Sequence, residues 1–157
     1  MTAEGLARSL RLALAAVAEP ERAAPMQAYM KSGMPFLGVT AVPLRRVCRE
    51  VFAGVDFRSA AAFRSAALSL WRGARYREER HGAIELTGHR RFDRFQDMAA
   101  LPMYEEMITT GAWWDYVDAL AAHRLGPLLR RFPRAKGQVD EGAFSDRPPS
   151  SMSLACG

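Results

Sequence analysis

The sequence predicts an all-α protein, a solenoid of antiparallel helix pairs. Three observations carry this. No segment alternates apolar and polar residues as a half-buried strand would. Apolar residues recur instead at three- and four-residue spacing over stretches of about 11–15 residues. Gly and Pro break these stretches at short intervals, and short connections set consecutive helices antiparallel.

Residues 4–18 form the first amphipathic pattern, with Leu6, Leu10, Leu14 and Val17 on one face, Thr2 placed to cap it and Pro20 to stop it. A second helix is expected over 21–31, with Pro25 in its first turn. Residues 32–38 hold Gly and Pro too densely for regular structure. Pro43 is a good first helical residue, so the next helix is placed at 43–53, with Leu44, Val47, Cys48 and Val51 inward and Arg45, Arg46 and Arg49 outward. The helix over 59–73 offers Ala62, Phe63, Ala66, Leu70 and Trp71 to the core, and its partner spans 76–88. Arg90, Arg91 and Arg94 mark a basic link. A helix from 98 or 102 to 110 follows, ended by Gly111, and another over 112–123. In that helix Trp113, Val117, Leu120 and Ala121 share a face, while Trp114 and Asp118 share the neighbouring one. Gly126 and Pro127 turn the chain into a short helix ending at Phe132 and Pro133.

This cadence of helix, short turn and helix suggests HEAT-type repeats, although no repeat has a letter-by-letter signature. Residues 1–133 are read as one domain. Residues 134–157 have no apolar periodicity, four serines and balanced charges, and read as a disordered tail unable to close a solenoid. The last apolar face, around Leu125, Leu128 and Leu129, is therefore expected to be open to self-association.

The 157 residues, 49% hydrophobic and 25% charged, suit a globular domain. No run of about 18 apolar residues or secretory leader is seen, so a cytoplasmic protein is expected, with no membrane partner and no obligate protein partner. Cys48 and Cys156 lack metal-ligand or redox spacing. Net charge is +5, and all but Lys31 and Lys136 of the 22 basic residues are arginines. Arginine forks to phosphate through paired hydrogen bonds, which counts weakly for nucleic acid.

Several stretches carry a resemblance to a known family: Pro25, Tyr29, Met30 and Lys31; then Phe36, Leu37 and Gly38 with Pro43, Arg45 and Arg46; and above all Trp113, Trp114, Asp115, Val117 and Asp118, followed by Leu125 and Gly126. In order and spacing the chain resembles the AlkD-like glycosylases of the DNA alkylation repair family over roughly residues 1–133. The resemblance implies HEAT-like repeats curved around double-stranded DNA and excision of N3- and N7-alkylated purines without metal or organic cofactor. It implies that Asp118 is the catalytic carboxylate and that Trp114 and Tyr29 line the lesion's sugar and backbone. Lys31, Arg45 and Arg46 are the cations expected to contact DNA phosphates, although spacing alone favours Lys31 as a last-turn cation of its helix. An arginine and a tryptophan from the family's later repeats have no counterpart here, so the chain reads as lacking C-terminal repeats; Arg147, in the Pro/Ser-rich tail, is not taken for that arginine.

On pattern alone the readings are plainer. Trp114 is more often a packing residue and Asp118 a solvated helix carboxylate. Asp115 suits the first turn of its helix, and the arginine clusters and His81, His89 and His123 read as surface. The alternative function is a non-enzymatic or inactive helical module that binds DNA or protein through a basic concave face.

Overall fold

A computed structural model describes residues 2–111 and 113–134, and these are all-α. Helix α1 spans Ala3–Ala15, and the Thr2 hydroxyl accepts from the Gly5 amide at 3.1 Å. Leu6, Leu10 and Leu14 are buried on one face. Helix α2, Pro20–Met30, starts at the proline expected only to stop α1: the ring presets φ and the first-turn N–H it lacks has no helical partner. Lys31 leaves the helix in the left-handed region, φ 49°.

Helix α3, Ala41–Ala53, begins two residues before Pro43. Its first intrahelical bond is from the Leu44 amide to the Thr40 carbonyl, so Pro43 still sits where no N–H is needed. Leu44, Val47, Cys48 and Phe52 are buried and Val51 is half-buried. Burial, then the nearby Glu85 carboxylate, pushes the Cys48 thiol up to about 12. Helix α4, Ala60–Arg72, is capped by Ser59 and buries Phe63, Ala66, Ala67, Leu70 and Trp71, whereas Ala62, expected inside, is exposed. Helix α5 spans Arg77–Thr87. The expected basic link is a 3-10 turn, Arg90–Phe95, whose Phe92 and Phe95 enter an aromatic cluster with Phe57 and Phe63.

Helix α6 covers Leu101–Gly111 and α7 covers Trp114–Leu120. Trp113 is the extended cap residue of α7, one step before the helix that was expected to include it. This shifts the buried stripe: Tyr116 and Leu120 are in the core, Val117 is half-buried and Ala121 is exposed. Gly126 and Pro127 make no turn. The chain runs through a π-helical segment, Ala121–Leu125, directly into α8, Gly126–Arg131. Proline cannot donate to the carbonyl four residues back and collides with it, and a widened turn just before Pro127 relieves both problems. Leu128 is buried, and Leu125 and Leu129 are half-buried, so the apolar face expected to stand open here is largely covered.

The helices form two layers. α1 packs on α4 and α4 on α6, making one layer; α3 packs on α5 and α5 on α7, making the other. Across the layers α1 meets α3, α4 meets α5, and α6 meets α7. This is a helical-repeat arrangement of three stacked pairs, with α2 inserted between the two helices of the first. Helix α2 buries no residue fully. No helix of the described residues is long and apolar enough to cross a membrane. Beyond Arg134, the expected tail lies outside the described residues.

Candidate nucleic-acid interface and catalytic cleft

The site is organised by the first turn of α5, where Arg77, Glu78 and Glu79 are three consecutive buried charges. Buried charge is costly unless paired, and each residue pairs with a different element. Glu79 takes a two-pronged contact from Arg11 of α1, at 2.8 and 2.9 Å, and the Arg75 amide at 3.1 Å. Glu78 accepts the successive amides of Leu37, Gly38 and Val39 at 2.9–3.1 Å, so one carboxylate clamps the loop between α2 and α3. Gly38 in that loop has φ +83°, and a Cβ there would lie 2.0 Å from the Glu19 carbonyl oxygen. The Phe36, Leu37, Gly38 motif thus has a mechanical cause.

Arg77 is 3% exposed and pairs with Asp115 of α7. Its guanidinium lies 4.3 Å from the Tyr116 ring centroid, 5.4 Å from Trp113 and 5.6 Å from Phe36. The other Asp115 oxygen meets His81 Nε2 at 3.0 Å. Burial raises the Asp115 carboxyl, but hydrogen bonds from His81 and Arg77 outweigh it and hold the group below its ordinary value. Asp115 therefore does more than face its helix N-terminus: it ties α7 to α5. Arg77 and His81, expected at the surface, are its partners.

The face of the second layer lines a cleft of about 730 Å³. Thr40, Ala41, Leu44 and Arg45 line it from α3 and its cap, Glu78, His81, Ile84 and Glu85 from α5, and Asp115, Asp118 and Ala119 from α7. Met26, Tyr29 and Met30 of α2 wall one side, and Ala122, His123 and Arg124 of the π-helical segment close one end. Steps of three and four along α5 and α7 put these residues on single faces. Arg124 also reaches back to the Ile84 carbonyl near the end of α5, over Gly88, where a Cβ would lie 2.0 Å from the guanidinium carbon.

Of the residues expected at the site, Asp118, Tyr29 and Arg45 meet at this cleft. Asp118 is exposed and makes no hydrogen bond or ion pair among the described residues, and Tyr29 is 80% exposed. Trp114 stands on α7, 60% exposed, but is not part of the cleft wall. Lys31 and Arg46 are exposed on α2's end and on α3, also off the wall. Asp115, His81, Glu78 and Arg124 were not anticipated as cleft residues. The spacing of Asp115 and Asp118, one turn apart, is the one local signal for them. Among the described residues no three His, Cys, Asp or Glu side chains form a metal-binding group.

No curated protein matches the chain. A sequence-family model described as DNA alkylation repair enzyme matches residues 10–147. The match starts within α1, covers every element that builds the cleft, and runs past residue 133, where the resemblance was expected to end. The chain belongs to the DNA alkylation repair enzyme family.

Proposed function

We propose that the protein is a DNA glycosylase that excises cationic N3- and N7-alkylated purines from duplex DNA, with Asp118 as the catalytic carboxylate. The observation that carries this reading is the meeting of an exposed carboxylate, Asp118, unpaired among the described residues, with an exposed aromatic ring, Tyr29, across one cleft edged by Arg45 and Arg124. Alkylation at N3 or N7 leaves the purine positively charged, so the base departs without protonation. The sugar then carries the developing positive charge, as in glycoside hydrolysis.

A carboxylate about 4 Å from that charge gains about 1 kcal/mol in bulk water and about 4 kcal/mol at the effective dielectric of a protein surface from which water has been partly expelled. Exposed Asp118 thus needs duplex DNA over the cleft to reach its full effect, which is then on the order of a thousandfold in rate. Tyr29 at the cleft and Trp114 on α7 are exposed aromatic rings, the side chains whose faces favour a cationic lesion over a neutral base. Lys31, Arg45 and Arg46 are exposed for phosphate contact, and binding through them weakens as salt rises. The HEAT-like curvature of the family is read as the shape that lays these residues along the duplex.

The test is release of N7-methylguanine from methylated duplex DNA by wild type and by Asp118→Asn. Excision by wild type and its loss in the variant support the reading. Salt-dependent DNA binding with equal, negligible release by both would instead support a non-enzymatic DNA-binding module.

A further inference from the structure

We propose that His81 is the general base of the excision, taking a proton from the water that attacks the sugar while Asp115 fixes its tautomer. This rests on the glycosylase reading above. The Asp115 carboxylate can only accept, so the His81 Nε2 facing it at 3.0 Å carries the ring proton. The lone pair is then on Nδ1, and no hydrogen bond among the described residues uses that atom. The His81 side chain is 30% exposed and lines the cleft. Its ring packs 4.9 Å from Tyr116, and the Asp115 that holds its other edge is itself anchored by Arg77, so the imidazole is held from two sides. A base oriented by a fixed carboxylate is the arrangement that proton abstraction needs. Asp118 follows Asp115 by one turn, about 4.5 Å along the helix axis, so base and carboxylate open onto the same cleft. The other two histidines differ: His89 has a buried Nδ1 without a partner, and His123 donates to no carboxylate among the described residues.

The step balances. The bond between C1′ and the purine nitrogen breaks, and its electron pair leaves with the base, cancelling the base's charge. The water oxygen bonds to C1′, its proton passes to Nδ1, and the imidazolium returns it to solvent. Asp118 offsets the charge on the sugar and His81 handles the proton.

Titratable and charged groups from several elements share the cleft with His81: Asp115 and Asp118 on α7, Arg45 on α3, His123 and Arg124 on the π-helical segment, Glu78 and Glu85 on its own helix and the Tyr29 phenol on α2, with Arg77 behind Asp115. A comparison that removes only His81 separates its titration from theirs. Gln is the informative replacement, because its amide nitrogen keeps a donor to Asp115 and supplies no base. For His81→Gln, the expected result is an unchanged melting temperature, a kcat for N7-methylguanine release lower by about 10²–10⁴-fold, and loss of the acid-side fall in rate expected of wild type. Imidazole added to His81→Ala is expected to restore at least about tenfold of the lost rate, a readout independent of how Gln packs. Wild-type rate and pH profile in His81→Gln, or no restoration by imidazole, overturns the proposal. If Asp118→Asn is inactive in the same assay, the glycosylase reading survives that failure. No release by wild type overturns both.

Discussion

Removing the Asp115 carboxylate while leaving Arg77 in place would strand a guanidinium that is 3% exposed. Its Nε already has no partner, and its remaining side-chain hydrogen bond would be to the Ser32 hydroxyl at 3.5 Å. Breaking a buried ion pair from one side costs about 3–5 kcal/mol. Three rings around Arg77 return part of this, about 0.5–2 kcal/mol for a desolvated cation. Asp115→Ala is therefore expected to lose about 3 kcal/mol, or roughly 9 °C in melting temperature at this chain length. Arg77→Met should cost less, about 1–2 kcal/mol, because Asp115 keeps His81 and is 17% exposed. The double variant leaves no stranded charge and should lie within about 1 kcal/mol of wild type. Urea unfolding of all four proteins reads the cycle. A loss below about 1 kcal/mol for Asp115→Ala, or a double variant that loses the sum of the two singles, refutes the view that this pair holds α7 on α5.

Three further outcomes follow from the same geometry. Gly38→Ala should cost at least about 2 kcal/mol in denaturant unfolding, since the new Cβ meets backbone at a positive φ, whereas Gly33→Ala, with nothing within 4 Å, should stay within about 0.5 kcal/mol. Because the folded Asp115 titrates below its ordinary value, its contribution is complete above about pH 4 and is lost as pH falls through the lowered value. The stability gap between wild type and Asp115→Asn should accordingly shrink as pH falls below about 4. Trp114→Ala and Tyr29→Ala, at 60% and 80% exposed positions, should each change stability by less than about 1 kcal/mol. Each should also lower the preference for N7-methylguanine over guanine by roughly 2- to 30-fold, measured as base release; wild-type preference with lost stability would make these packing residues.

Local periodicity was legible in the sequence wherever one helix face is buried. Leu6, Leu10 and Leu14 repeat every four residues, and Thr2 and Ser59 cap as their hydroxyls suggest. Exact starts were less so: Pro43 suits any of the first three helical positions, and α3 begins at Ala41 rather than at the proline. The same one-residue uncertainty at Trp113 moved the core stripe of α7 onto Tyr116. Long-range pairing was invisible. Arg77 and Asp115 are 38 residues apart, so Arg77 read as one more member of a solvated arginine run. Glu78 and His81 were missed for the same reason, since their partners lie on another loop and another helix. Phe92 and Phe95 were masked by the arginines between and around them. Pro127 signalled a break, but the chain absorbs it in a π-helical segment that also forms one end of the cleft.

In the proposed excision the exposed carboxylate of Asp118 carries the chemistry. Single-turnover release of N7-methylguanine from methylated duplex DNA, compared between wild type and Asp118→Asn at matched DNA occupancy, tests it most directly. Release by wild type, a rate lower by about 10²–10³-fold in the variant, and unchanged DNA affinity are the expected results. Equal rates in the two proteins would contradict it.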